Sequence, residues 1–268
     1  MNSLRLSLFA LIFLAVLGMS QEAEGDGWKE IEHIGNHETN GYAWSVDVSG
    51  NYAYVAYSGG LVILNIEDPA NPTLEGSYDT RGWAYEVSIS GNYAYVADSS
   101  GLLILNIEDP TNPTLEGSYD TDGSAYGVTI SGDYAYVADY YDGGLVIINI
   151  EDPTNLTLEG SYDTDGSAHR VTISGDYAYV ADYYNGLVIL NIEDPANPTL
   201  EGSYDTDGEG YDVDISGNYA YVADGEEGLV IINIEDPTNP YFIGTNYTGG
   251  NAASVTISRD YALSLIHI

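Results

Sequence analysis

From residue 41 onward the apolar residues fall in short runs broken by Gly, Asn, Asp and Pro, and the runs recur. One stretch, residues 125–167, reads AYGVTISGDYAYVADYYDGGLVIINIEDPTNLTLEGSYDTDGS. It predicts four strands. The first is Ala125–Ile130. Gly132-Asp133 then makes a two-residue hairpin turn, glycine supplying the positive φ such turns need. The second strand is Tyr134–Ala138. The third, Gly144–Ile150, is apolar at consecutive positions (Leu145, Val146, Ile147, Ile148), the pattern of a strand buried on both faces. Glu151-Asp152-Pro153 ends it, because Pro cannot donate to a ladder. The fourth, Thr157–Tyr162, is more polar and suits an outer edge.

Aligning one serine of each phrase gives Ser49, Ser90, Ser131, Ser174, Ser216 and Ser258, at steps of 41, 41, 43, 42 and 42 residues. A period of that size with strand content belongs to a propeller or a solenoid. No stretch after the N-terminal twenty residues sustains a helical period. Repeats of a parallel β-helix are shorter and lack hairpin turns. The expected fold is therefore all-β: a β-propeller of four-stranded antiparallel blades.

The string Leu61-Val62-Ile63-Leu64-Asn65-Ile66-Glu67-Asp68-Pro69, with Tyr93-Ala94-Tyr95-Val96-Ala97-Asp98 before the next copy, resembles the LVIVD-repeat β-propeller proteins. The likeness runs from Gly41 to Ala262. It implies a propeller and an exported or surface location in bacteria or archaea, and no particular activity. One departure stands out: Asn65, Asn106, Asn149, Asn191 and Asn233 occupy the position where the family motif ends in Asp. If that Asp bonds a neighbouring turn, Asn keeps the acceptor and loses the charge.

Complete sets of four strands begin at Gly41, Gly82, Gly123, Gly166 and Gly208, giving five blades. A sixth begins at Asn251 and reaches Ala262. Trp28–Gly35 (WKEIEHIG) is expected to be a closing fourth strand, waiting for a blade begun at the other end of the chain. Residues 28–262 are thus the propeller. Leu263–Ile268 breaks the repeat, which predicts Tyr-Val-Ala after Ala262. The six residues can be encoded CTG TCT CTT ATA CAC ATC, similar to the transposase-adapter end used in preparing sequencing libraries. They are expected to be a non-native tail, which removes His267 from functional consideration.

Composition adds a location. Arg5, the apolar run Leu6–Leu17 and the small residues of Gly18-Met19-Ser20 predict a secretory signal over residues 1–20, followed by a linker at 21–27. Cysteine is absent, so packing alone must hold an exported chain. The net charge is −37, and losing the signal would leave −38, since residues 1–20 hold one Arg and no acid. That excess argues against nucleic acid or anionic membrane surfaces as partners. Multiplication of an acidic repeat, a salty habitat and divalent-cation binding would each account for it.

The two sides of the repeat differ. Turns 1–2 (Ser-Gly-Asn/Asp) and 3–4 (Glu-Asp-Pro-x-Asn) are nearly identical from blade to blade and read as turn chemistry. The 2–3 tips and the links between blades vary. They carry Trp44, Trp83, Tyr85, Tyr126, Tyr140, Tyr141, His169, Arg170, Tyr183, Tyr184 and Tyr211, the candidate ligand-binding set. Aromatics beside acids, with one Arg, suit an extracellular glycan or protein, and loops on a rigid scaffold are where such residues usually sit. Drifted, solvated loops are the plain alternative.

The link Asp-Thr-Asp-Gly offers Asp120/Asp122, Asp163/Asp165 and Asp205/Asp207 as candidate calcium ligands, although the distal acid of a calcium loop is missing locally. No other cofactor is implied. His33, His37, His169 and His267 lack metal-ligand spacing, and no Ser/His/Asp set can be nominated. The expectation is a non-catalytic exported binding module. A secreted hydrolase or lyase acting on carbohydrate or another extracellular polymer is the alternative. Acids or a His converging at the channel mouth on the variable face would favour it. Asn155 and Asn246 open glycosylation sequons on or beside the outer strand.

Overall fold

The computed structural model describes residues 35–39, 41–141, 144–258 and 261–267, with the side chains of 261 and 265–267 excepted. The expected signal, the linker and most of the closing strand lie outside the described residues. Every described element is a strand. Five four-stranded antiparallel sheets follow one another, then a two-stranded one. The first sheet is β1 (Ala43–Ser49), β2 (Tyr52–Tyr57), β3 (Gly60–Asn65) and β4 (Thr73–Tyr78). The second is β5 (Ala84–Ser90), β6 (Tyr93–Asp98), β7 (Gly101–Asn106) and β8 (Thr114–Tyr119). The third is β9 (Ala125–Ser131), β10 (Tyr134–Asp139), β11 (Gly144–Asn149) and β12 (Thr157–Tyr162). The fourth is β13 (Ala168–Ser174), β14 (Tyr177–Asp182), β15 (Gly186–Asn191) and β16 (Thr199–Tyr204), and the fifth is β17 (Asp212–Ser216), β18 (Tyr219–Ala223), β19 (Leu229–Asn233) and β20 (Tyr241–Asn246). The last pair is β21 (Asn251–Ser258) and β22 (Tyr261–His267). Leu263–His267 pairs with β21 as a strand, its apolar pattern fitting a second-strand position.

First strands lie innermost and neighbour one another in the order β1, β5, β9, β13, β17, β21. Consecutive apolar residues exist because each blade has a core on either face. Leu145 and Ile147 of β11 enter the core shared with the fourth blade, while Val146 and Ile148 enter the core shared with the second. Each fully buried Leu or Ile is worth about 1.5–3 kcal/mol. Two or three such residues in the third strand of each of the first four blades help hold an all-β chain together without disulfides.

The side chains of the repeated turns point inward on their own backbone. Gly50, Gly91, Gly132, Gly175 and Gly217 take φ near 60° in the 1–2 turns, as the sequence requires. Each motif-ending Asn accepts through Oδ1 the amide two residues on, for example Glu67 N to Asn65 at 3.0 Å and Glu151 N to Asn149 at 3.1 Å. Asn therefore retains the acceptor, as the departure from Asp predicted. In the Glu-Asp-Pro turn, Asp152 Oδ1 accepts from Thr154 N and Thr154 Oγ1. Asp109 does the same with Thr111, and in both cases the bonds hold the carboxyl below its ordinary range. These acids cap turns.

Fourth strands meet the next blade at a glycine. A Cβ on Gly76, Gly117, Gly160 or Gly202 would strike the carbonyl of Pro110, Pro153, Pro195 or Pro237, each in the Glu-Asp-Pro turn of the following blade. Gly35 sits in the same way on the carbonyls of Pro69 and Ala70. Its placement is that of a fourth-strand glycine preceding the first blade. At the other end Gly244 of β20 has open space around its Cβ position.

Candidate functional site

Strand pairing builds the site. In the first strands the register with the second strand slips by one residue, a β-bulge at Trp44, Tyr85, Tyr126, His169 and Ala253. A bulge leaves one residue unpaired and re-aims its side chain. Tyr211, just ahead of β17, holds the corresponding place in the fifth blade and donates its amide to Ala223 O. The 2–3 tips join the links on this same side: Ser58 N to Tyr42 O, Ser99 N to Trp83 O, Tyr140 N to Ser124 O, Tyr183 N to Ser167 O. Links and tips therefore share one face, and the aromatic residues assigned to them meet there.

The rings form an unbroken series. Trp44 and Tyr85 lie 6.0 Å apart, Tyr85 and Tyr126 stack at 4.1 Å, Tyr126 and His169 meet edge-on at 5.1 Å, and His169 and Tyr211 at 5.1 Å. A second row joins from the tips. Tyr140 stacks on Tyr126 at 4.6 Å and reaches Tyr183 at 6.2 Å, and Tyr183 reaches Tyr211 at 5.4 Å. Tyr141 and Tyr184 stand edge-on to Tyr140 and Tyr183 and are about two-thirds exposed, at 64% and 66%. Trp83 stands 6.4 Å from Tyr85. Edge and offset geometries at these separations are the favourable ones for aromatic pairs. Ten of the eleven residues nominated from sequence thus make one ribbon across five blades.

The ribbon is electrically quiet. Burial lowers the His169 imidazole to about 3, with the Arg170 charge adding to the effect, so the ring is neutral at ordinary pH. Tyr126 and Tyr183 are pushed well above the usual phenol value, Tyr126 by burial and Tyr183 by its bond to Glu209. The Glu209 carboxylate also accepts from Tyr211 OH at 2.8 Å and anchors that end of the series.

Arg170, the eleventh nominee, is committed to the scaffold. Its Nε lies 3.3 Å from Glu86 Oε1, and its terminal nitrogens donate to the carbonyls of Tyr126, His169 and Tyr85. One side chain thereby ties three blades. Sequence reading also overlooked a wider set of such ties. Glu86 Oε2 accepts Val128 N, Asp47 Oδ2 accepts Ile89 N, and Asp212 Oδ2 accepts Val255 N and Ser254 Oγ. Asp214 Oδ2 accepts Ile257 N, while Thr129 and Thr172 donate to Val171 O and Val213 O. Each staple spans one repeat. The available signal was a polar residue recurring inside an otherwise apolar first strand. Acids do gather beneath the aromatic layer, but each holds a neighbour's backbone. Burial raises Glu86 to about 7 against the pull of Arg170 and the Val128 amide, and raises Asp212 as well.

A second missed set closes the second, fourth and fifth blades. Asp182 is fully buried. Its Oδ1 accepts from Ser167 N, Tyr184 N and Asn185 N, and its Oδ2 from Thr164 Oγ1. Asp98 and Asp224 accept likewise from Thr80 and Thr206. The link glycines Gly82, Gly123, Gly166 and Gly208 lie against these carboxylates, and a Cβ there would collide with them. The recurrence of Asp eighteen residues after the link Thr is legible in the sequence.

The candidate calcium residues shape the turn of their own link. Asp122, Asp165 and Asp207 take positive φ, between 58° and 66°. Their amides donate to Oδ1 of Asp120, Asp163 and Asp205. Among the described residues no group of three or more His, Asp or Glu is gathered to hold a metal ion.

Comparison with protein families finds the LVIVD repeat five times, over residues 40–80, 81–121, 122–164, 165–206 and 207–248. No curated protein sequence matches. Among solved structures, the chain is similar to the β-propeller domain of Cps50 (Swd1) from Myceliophteria thermophila, with TM-score 0.65, 14% identity and coverage of 82% of this chain and 78% of that one. It is similar to a putative 6-phosphogluconolactonase from Bacteroides uniformis, with TM-score 0.69, 16% identity and coverage of 86% and 80%. It is also similar to BamB from Moraxella catarrhalis, with TM-score 0.55, 16% identity and coverage of 87% and 83%. At such identities the likeness is one of fold.

Proposed function

The chain belongs to the LVIVD-repeat proteins, and on the geometry of its aromatic face we propose that it is an exported, non-catalytic propeller that binds an extracellular glycan or protein. The observation that carries this reading is the ribbon. A bulge in one blade after another lifts a Trp, Tyr or His onto the same side, and the tip tyrosines extend that surface. Tyr141 and Tyr184 remain largely in solvent, as do Trp44 at 49% and Trp83 at 55%. Exposed aromatics on a rigid support bind with little loss of side-chain entropy. The test is a glycan array and a pull-down from extracellular material. Tyr140→Ala/Tyr183→Ala should lose binding with the melting temperature unchanged. Full retention by that double variant would sink the reading.

A second reading rests on Glu86. Its carboxyl, paired with Arg170 and accepting the Val128 amide, keeps 22% of its side chain exposed, and burial raises it to about 7, in the range a general acid needs. It supports a hydrolase or lyase only if Glu86→Gln abolishes turnover of an extracellular polysaccharide while ligand binding persists.

A further inference from the structure

One link departs from the repeat in two adjoining places. Asp79-Thr80-Arg81-Gly82-Trp83 stands where the next links read Asp120-Thr121-Asp122-Gly123-Ser124 and Asp163-Thr164-Asp165-Gly166-Ser167. Both departures line one groove. Ser58, Gly59, Asp79, Arg81, Trp83 and Ser99 are among the residues around a cavity of about 520 Å³ between the first two blades, and Tyr85 connects its floor to the ribbon.

The chemistry of that groove differs from the rest of the surface. Arg81 is the only exposed Lys or Arg side chain among the described residues, and it makes no ion pair among them. It stands in a protein with 42 acids and 5 bases. Its guanidinium presents a planar fork suited to a carboxylate. Trp83 offers an exposed indole face beside it. The Ser58 and Ser99 hydroxyls accept the Tyr42 and Trp83 amides; Ser99 donates its own proton to Asp98 Oδ1, while Ser58 keeps its proton to donate. Asp79 Oδ1 accepts Arg81 N at 2.8 Å, which leaves the other carboxylate oxygen to accept a hydroxyl. Arg81 takes φ 65° here, so the turn matches that of its Asp counterparts and only the side chain differs.

We propose that this groove is a subsite for a carboxylate-bearing sugar, a uronic acid, at one end of the aromatic ribbon. The sugar ring's apolar face lies on Trp83, its carboxylate on Arg81, and its hydroxyls on Ser58 and Asp79. This rests on the binding function proposed above and names the ligand class for one end of that surface. A short acidic oligosaccharide fits better than a long polyanion, because each further carboxylate would lie within roughly 10 Å of an acidic surface, inside the range where salt does not screen the repulsion.

The repeat itself supplies substitutions that keep the turn. Arg81→Asn leaves a residue that tolerates positive φ. Trp83→Ser restores the residue of the next two links. The probes are a galacturonic-acid trimer and its fully methyl-esterified form, followed by calorimetry and tryptophan fluorescence on the whole chain. The acid trimer should bind more tightly than the ester. Arg81→Asn should weaken the acid by about tenfold and leave the ester unchanged, the size expected for one charge-assisted pair. Trp83→Ser should weaken both. Equal binding of acid and ester, or an acid affinity untouched by Arg81→Asn, overturns the uronate assignment while the aromatic-face reading stands. Binding of neither trimer also overturns it, and the Tyr140/Tyr183 double variant then judges the broader reading on its own.

Discussion

At the residue scale, charge is organised by burial. Asp182 holds four donors in a dry site, so Asp182→Ala leaves them unpaired and should cost about 2–4 kcal/mol, read by urea denaturation. Asp182→Asn, which keeps an acceptor, should cost less. The pH response has two opposing parts. Glu86 at about 7 and Asp224 at about 6 hold protons in the folded state that the unfolded chain has released. Their contribution is therefore full below the ordinary carboxylate range and is lost as pH rises through it to about 7. His169, lowered to about 3, refuses a proton that the unfolded imidazole takes below its ordinary 6.5, so its contribution is lost as pH falls through that window. Two carboxyls outweigh one imidazole between pH 5 and 8. The melting temperature should be higher at pH 5 than at pH 8. Glu86→Gln should narrow that gap, and His169→Phe should widen it. A flat profile in the parent protein would contradict the raised carboxyl of Glu86.

At the element scale, strands and turns were legible because each obeys local rules. Two apolar faces made the third strand. Pro153 and its counterparts ended it, and Gly132 turned the first hairpin. The bulge was not legible, since nothing in Ala84-Tyr85-Glu86 marks where the register slips. The sequence therefore placed Tyr85, Tyr126 and His169 on the right side without revealing that they touch. It also placed Arg170 among them, whereas the bulge sends His169 to the face and the next residue to the staples. The staples escaped for a related reason. Glu86 and Asp212 bond backbone one repeat away, and the partner groups, the Val128 and Val255 amides, carry no side-chain signature. Fourth-strand glycines give this scale its prediction. Gly117→Ala drives a Cβ into the Pro153 carbonyl and should cost about 1–3 kcal/mol. Gly244→Ala meets open space and should change stability by less than about 0.5 kcal/mol. Equal losses in thermal melts of the two variants would mean the blades pack differently.

For the molecule as a whole, the excess of acids is the dominant fact. Forty-two acids against five bases repel one another across every blade, and salt screens that repulsion. Added sodium chloride should raise the melting temperature. Screening depends on ionic strength and not on the identity of the ion, so calcium at matched ionic strength should raise it by the same amount. A surplus rise in calcium would instead point to the Asp120, Asp163 and Asp205 links.

The two kinds of buried tie make different demands on neighbouring repeats. The Thr-to-Asp clamp lies wholly within one link and its own blade. The staples do cross between blades, yet most end on a main-chain amide or carbonyl, a group that any repeat presents whatever its side chains. Apart from the Arg170–Glu86 pair and the Ser254–Asp212 bond, neither tie asks another unit for a matching residue. Away from those two pairs, a 42-residue module can therefore be copied, deleted or transplanted beside a new neighbour without stranding a buried partner. In that sense these units are interchangeable parts, and the surface they display can be rewritten one module at a time.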